Sequence, residues 1–247
     1  MAGHSKFKNI MHRKGQQDAF RSRMFAKLSR EISIASKVGG VDPNSNPRLR
    51  LAIQSAKSQS MPKENIQRAV NKGGGSSSED YFEIRYEGYG PGGVAILVEA
   101  LTDNRNRSAG NIRTYFVKHG GQMSETGSVG FMFDRVGEIR YSTAVGSEER
   151  IMKAVMEVGA NDMETNEKEY TIICNCELLS TMSITLEDIL GEAKSVRVTW
   201  KPKNRVSISQ EKEDLLMKLF EALQDDDDVQ NIYSNFEIDK YPYPNLV

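Results

Sequence analysis

Three histidines, two cysteines and a run of four aspartates are the residues with which this chain could hold a metal or do catalysis. His4 and His12 lie among lysines and arginines near the start, and His119 stands beside Gly120 and Gly121, so none falls into an H-E-x-x-H or Cys/His metal pattern. His119 reads as a residue closing a helix. Cys174 and Cys176 have no further cysteine to complete a metal site, and their spacing predicts two strand residues in a reducing compartment. Asp225 to Asp228 are consecutive and lack the alternating ligand spacing of a calcium loop, so they read as a solvated acidic connection. The stretch "GYGPGG" at 88–93 has the G-x-G-x-x-G spacing of a pyrophosphate cradle. That cradle needs a helix after it, whereas here a strand-like "VAILVEAL" follows, so a hairpin connection is expected, with Tyr89 and Pro91 at its tip. "GSVG" at 127–130 lacks the nucleophile elbow and reads as a turn. No catalytic constellation, metal site or cofactor site emerges, which argues against an enzyme.

The remaining chemistry is charge. The first thirty residues hold eight Lys or Arg and one Asp, although the whole chain has a formal net charge of −1. Residues 1–75 carry fifteen Lys or Arg against Asp18, Glu31, Asp42 and Glu64, a net of +11, so the remainder carries −12. A basic end joined to an acidic remainder predicts a polyanionic partner for that end. Lys6, Lys8, Arg13, Lys14, Arg23, Lys27 and Arg30 are the expected phosphate contacts, binding through charge and released counterions. His4, Ser5, Asn9, Gln16 and Gln17 add neutral hydrogen-bonding groups, and Phe7 offers a stacking surface that suits unpaired RNA. Arg105 and Arg107 in "TDNRNRS" form a second candidate, near the positive end of a helix capped by Asp103 or Asn104. Those two arginines suit either a phosphate or pairing with neighbouring acids.

These residues need elements to position them. Phe20, Met24, Phe25, Leu28, Ile32 and Ala35 recur at helical steps from Asp18 to Val38, with Arg23, Lys27, Arg30 and Lys37 on the opposite face. A second helix is expected at about 47–59, with Asn46 as cap and Pro47 at its first position, and a third from near Pro62 to "KGGG". "GGGSSSED" at 73–80 then reads as a flexible connection. Beyond it come "YFEIRYEG" and "GVAILVEAL" as strands, a helix from about Arg105 to Lys118, a strand "EIRYS", a helix at 147–158 and strands near 162–166 and 169–175. A short helix at 185–191, a strand "SVRVTW", a helix "SQEKEDLLMKLFEAL" and a closing strand "VQNIYSNFEI" complete the reading. The fold class is α+β: an N-terminal helical bundle followed by two small α+β domains, the second inserted into the first. The boundaries are 1–75 for the basic helical domain, 80–134 plus 206–240 for the split domain and 135–205 for the insertion. No stretch reaches the ~18 to 20 apolar residues of a membrane span, and the start lacks an apolar signal core, so no membrane partner is expected and the cytoplasm is the default location.

"MAGHSKFKNI", "MPKENIQRAVNKG", "YEGYGPGGVAILVEALTDNRNRS" and "GSVGFMFDR", in that order, resemble the YebC/PmpR family. The resemblance runs from residue 1 to the closing strand. It implies a three-domain protein in which an α+β domain of two segments holds an inserted α+β domain. It also implies a regulator of gene expression, since members are described as transcriptional regulatory proteins and mitochondrial relatives as translational activators of cytochrome c oxidase subunit I. Two partners stay open: promoter DNA with the transcription machinery, or ribosomal RNA or tRNA on the ribosome, where members assist translation through proline-containing stretches. The connection "SQSMP" is not a helix-turn-helix signature, and neither target sequence nor oligomeric state is legible.

Overall fold

The computed structural model describes residues 14–75 and 80–236. Its chain forms two compact units, one built from residues up to Arg30 with Glu79–Phe133 and the segment from Pro202 onward, the other from Glu31–Ser78 and Asp134–Lys201. Helix α1 (Lys14–Gly39) supplies residues to both.

In the first unit, β1 (Phe82–Tyr89) and β2 (Ala95–Thr102) form an antiparallel hairpin, Phe82 opposite Thr102 and Tyr89 opposite Ala95. Pro91–Gly93 connects them in a tight turn. Gly92 and Gly93 have φ of 79° and 77°, which a side chain at either position would disfavour. "GYGPGG" is thus a hairpin connection, as its strand context predicts. Helices α2 (Pro47–Ser58) and α3 (Lys63–Gly74) precede the hairpin in the chain, and α4 (Arg105–Lys118) follows it. Strand β3 (Gln122–Ser124) pairs with β1. The last described strand returns to pair with β2, giving the sheet order β3-β1-β2 and then that strand.

The second sheet is built from β4 (Phe133–Ser142), β5 (Asp162–Thr165), β6 (Glu169–Cys174) and β7 (Ser195–Pro202), in the order β5-β6-β4-β7. Helices α5 (Glu148–Glu157) and α6 (Leu179–Leu190) pack on it through Ile151, Val155, Leu179 and Leu186, against Ile139, Tyr141 and Ile172. Helix α7 (Gln210–Asp225) and strand β8 (Val229–Ser234) then complete the first unit. There Leu216, Leu219, Phe220 and Leu223 of α7 join Ile112 and Phe116 of α4 and Ile96 and Val98 of β2 in one core. Burying such large apolar side chains contributes about 1.5–3 kcal/mol each.

Local rules account for most element ends. Asn46 accepts from the Leu49 N–H at 3.0 Å ahead of Pro47, and Asn104 accepts from the Arg107 N–H at 3.0 Å. The Asn46 amide also donates to the carbonyls of Ala35 and Gly40, tying α2 to the end of α1. Gly73 lets α3 approach α1, since a Cβ there would lie 2.1 Å from the Ser33 carbonyl oxygen.

Three expectations need correction. Helix α6 begins at Leu179, not near 185, because Leu179, Met182, Leu186 and Leu190 line one buried face through a stretch rich in Ser, Thr and Ile. Cys176 is not a strand residue: β6 ends at Cys174, and Asn175 accepts from the Glu177 N–H at 3.1 Å to start a turn. Nor is the hairpin connection a free tip. Pro91 is buried, and the Tyr89 hydroxyl donates to the Ser128 carbonyl at 3.1 Å. "GSVG" is held from the same strand by Glu87, whose buried carboxylate accepts from the Val129 and Gly130 N–H groups at 2.8 Å each.

Candidate nucleic-acid interface

Lys6, Lys8 and Arg13 lie outside the described residues, and Lys14 is described only as the first backbone residue of α1. The remaining predicted contacts fall in the first unit, where the fold brings Arg23, Lys27, Arg30 and Arg107 to one acidic segment and stacks Arg105 on Phe82.

On α1, Arg23, Lys27 and Arg30 follow each other at four- and three-residue steps and so form one stripe along the helix. Each meets the end of α7 or the connection that follows it to β8. An Arg23 guanidinium nitrogen lies 2.7 Å from Asp225 Oδ1. The Lys27 ammonium donates to the Gln224 carbonyl at 2.7 Å. Arg30 donates to the Asp227 carbonyl at 2.6 Å and the Leu101 carbonyl at 3.1 Å, and lies 3.6 Å from Asp228 Oδ1. Gln224 belongs to the last turn of α7, where carbonyls lack intrahelical partners and the helix dipole is negative. Lys27 therefore satisfies a carbonyl that would otherwise be orphaned. Burial pushes its ammonium down to about 8, against the opposing pull of Asp226 and Asp227.

On α4, Arg107 lies 2.6 Å from Asp103 Oδ1 and 2.9 Å from Asp228 Oδ2, and hydrogen bonds to both carboxylates hold its proton more tightly than usual. The Arg107 hydrogen bond in turn holds Asp103 below the ordinary carboxylate range. Thr102 donates to Asp228 Oδ2 at 2.8 Å. Asp226 accepts from the Tyr115 hydroxyl at 3.1 Å and the Asn111 amide at 3.3 Å, and burial, then the Asp226 charge, pushes the phenol up to about 12. Together Arg30, Tyr81, Arg107, Tyr115 and the aspartates line a polar cleft of about 380 Å³.

Arg105 differs from its neighbour. It is exposed, and its guanidinium lies 4.0 Å from the centre of the Phe82 ring, itself exposed. That is a cation–π stack at the surface.

Of the two readings open for "TDNRNRS", Arg107 takes the pairing one and Arg105 stays outward-facing. The acidic run is corrected from a solvated connection: Asp226 and Asp228 are buried, and the segment receives cations from α1 and α4. Residue reading missed this partnership and the contribution of Phe82. The signal available for the first was the coincidence of a cationic stripe and the single four-Asp run in one chain.

Outside the first unit, α2 and α3 expose Lys57, Lys63 and Arg68, while Leu49, Ala52, Ala56, Ile66, Ala69 and Val70 are buried. Among the described residues no group of three or more His, Cys, Asp or Glu is placed to hold a metal ion, and no helix is long and apolar enough to cross a membrane.

Two family models match nearly the whole chain: the TACO1/YebC protein N-terminal domain over residues 5–76, and the TACO1/YebC second and third domain over residues 81–236. The chain belongs to the TACO1/YebC family. The model over residues 81–236 carries a transcription-regulation name, which makes this a family of regulatory proteins. Among solved structures, the chain is similar to a conserved hypothetical protein from Aquifex aeolicus. The two share 43% identity and a TM-score of 0.80, over 92% of this chain and 95% of that one. At that similarity the α+β architecture is common to both.

Proposed function

We propose that the protein is a non-enzymatic, nucleic-acid-binding regulator of gene expression, with residues 1–75 as its basic binding domain and duplex DNA as its partner in transcriptional control. The observation that carries this reading is the outward placement of cations on the helices of the basic segment. Arg21, Lys57, Lys63 and Arg68 are exposed while the apolar faces of the same helices are buried. Such charges bind phosphates without reading sequence, which suits a segment lacking a recognition helix. Membership of a regulatory family supports the same reading.

Exchanging Lys6, Lys8, Arg13 and Lys14 together for Glu tests it. Fluorescence anisotropy with a labelled duplex DNA and a labelled structured RNA, across a salt series, is expected to show binding by the parent chain and its loss in the variant. The far-UV circular dichroism should be unchanged. Equal binding by the two would remove the arm from the mechanism.

A second reading, a ribosome-associated translation factor gripping RNA, is favoured by one observation. The exposed Arg105–Phe82 stack offers a platform for unpaired bases, which RNA presents more often than duplex DNA. Crosslinking in living cells, with sequencing of both the attached DNA and RNA, separates the two: promoter fragments support the first, ribosomal RNA or tRNA the second.

A further inference from the structure

The stripe expected to hold phosphates is already occupied. Arg23, Lys27 and Arg30 spend their donors on Gln224, Asp225 and Asp227, with Asp228 close behind. These contacts join residues about two hundred positions apart, so they are not a by-product of local helix geometry. The Asp225 and Asp228 carboxylates present anionic oxygens to the stripe, and the Gln224 and Asp227 carbonyls accept from it as phosphate oxygens would.

We infer that the acidic segment Gln224–Asp228 is an intramolecular mimic of a phosphate backbone, an autoinhibitory latch that competes with nucleic acid for the Arg23, Lys27 and Arg30 stripe. The proposal rests on the nucleic-acid reading above and adds a regulated state to it. With the latch closed, binding relies on cations elsewhere, such as the N-terminal arm. With it displaced, three further cations become available, and the salt dependence of binding steepens because each new phosphate contact releases counterions. The geometry makes displacement feasible. Asp225 and Asp227 are exposed, and Arg23 keeps more than a third of its side chain in solvent, so a competing phosphate can approach from outside before the buried Asp226 and Asp228 are disturbed. Ionic contacts at such a surface exchange partners at little cost.

The test neutralises only the two exposed acids. Asp225→Asn with Asp227→Asn leaves the buried carboxylates in place, and circular dichroism verifies the fold. Its affinity for a labelled duplex DNA and a labelled structured RNA is compared with that of the full parent chain. At about 0.1 M salt the variant should bind at least about threefold tighter, with a log–log salt slope steeper by about one, the contribution of the released Arg23, because Lys27 and Arg30 keep their backbone-carbonyl acceptors. A control, Glu211→Gln with Asp214→Asn, makes the same charge change at exposed positions on α7. An equal gain in that control would overturn the latch, since net charge alone would then explain the effect. Adding Arg23→Ala and Lys27→Ala to the Asn variant should abolish the gain; a gain that persists places the freed cations elsewhere and overturns the latch too. If the parent binds and the Asn variant binds no tighter, the latch falls while the nucleic-acid reading stands. If neither binds either probe, both fall.

Discussion

Glu138 and Asp228 are both buried carboxylates facing two arginines, but the arginines reach them from different places. Glu138, its side chain 9% exposed, lies 2.8 Å from Arg140, two residues along the same strand, and 2.8 Å from Arg197 on β7. All three belong to one sheet, so the charges cannot separate unless strands do. Asp228, 7% exposed, meets Arg30 from α1 and Arg107 from α4, elements brought together only by the tertiary fold. Backbone pairing holds the first cluster shut, while the second has no ladder enforcing it from the helix side. The same ion pair can therefore be part of a scaffold or a contact able to change partners, depending on what else binds its elements together.

Truncation should expose this difference. Glu138→Ala leaves Arg197 without this carboxylate and Arg140 with only the Glu169 carboxylate at 3.7 Å, roughly a quarter of each arginine side chain being in solvent. It should cost about 2–3 kcal/mol, read as a lowered urea midpoint. Asp228→Ala should cost less, about 1–2 kcal/mol, because Arg107 retains Asp103, Arg30 retains two backbone carbonyls and Thr102 retains the Asn104 carbonyl. Equal costs would show that the tertiary cluster is as fixed as the sheet one.

Acid should break the scaffold carboxylates next. Burial works to raise Glu138, but Arg197 and Arg140 outweigh it and hold it below its ordinary 4.5. Burial likewise opposes the backbone N–H groups of Val129, Gly127 and Gly130 at Glu87, and again the net displacement is downward. In the unfolded chain these carboxyls bind protons more readily than in the fold. Their contribution is therefore complete above about 4.5 and is lost as pH falls from there through the depressed folded values. Glu87→Gln should flatten the stability–pH profile in that window when urea midpoints are compared between pH 3 and 6, and a parent profile already flat there would contradict it.

The same contrast explains what could be read before the structure. Asn46 with Pro47, Asn104 ahead of Arg105 and the apolar steps of α7 mark their elements because caps and periodicity act within a few residues. The early turns of α6 escape such reading: Leu178 caps them without a side-chain hydrogen bond, and hydroxyl and β-branched residues obscure the buried face. The candidate interface was legible as a cationic stripe, but its occupancy was not. A lysine at 27 and a carbonyl at 224 meet only through the fold, and no local pattern records which of many acids an arginine finds.

Lys27 gives the finest measure of whether the α1 contact is closed in solution. With the ammonium buried against Gln224, it should titrate near 8 instead of the ordinary 10.5, as followed through its ε-carbon resonance by NMR. The unfolded lysine keeps its proton throughout that interval while the folded one releases it. The unfolded state thus binds more protons, and the contribution of Lys27 to stability rises with pH from about 8 to 10.5. Lys27→Met should remove that rise; at pH 7 the relief of a buried charge and the loss of the donor to the Gln224 carbonyl oppose each other, so stability there should change by no more than about 1 kcal/mol. Asp227 and Asp225 pull the Lys27 value upward. If the contact stays closed after both are changed to Asn, the midpoint should drop further; if their loss opens it, the exposed ammonium should return toward 10.5. A parent midpoint already at 10.5 would mean that the stripe stands open, and Asp228 would then be a scaffold carboxylate like Glu138, serving α4 alone.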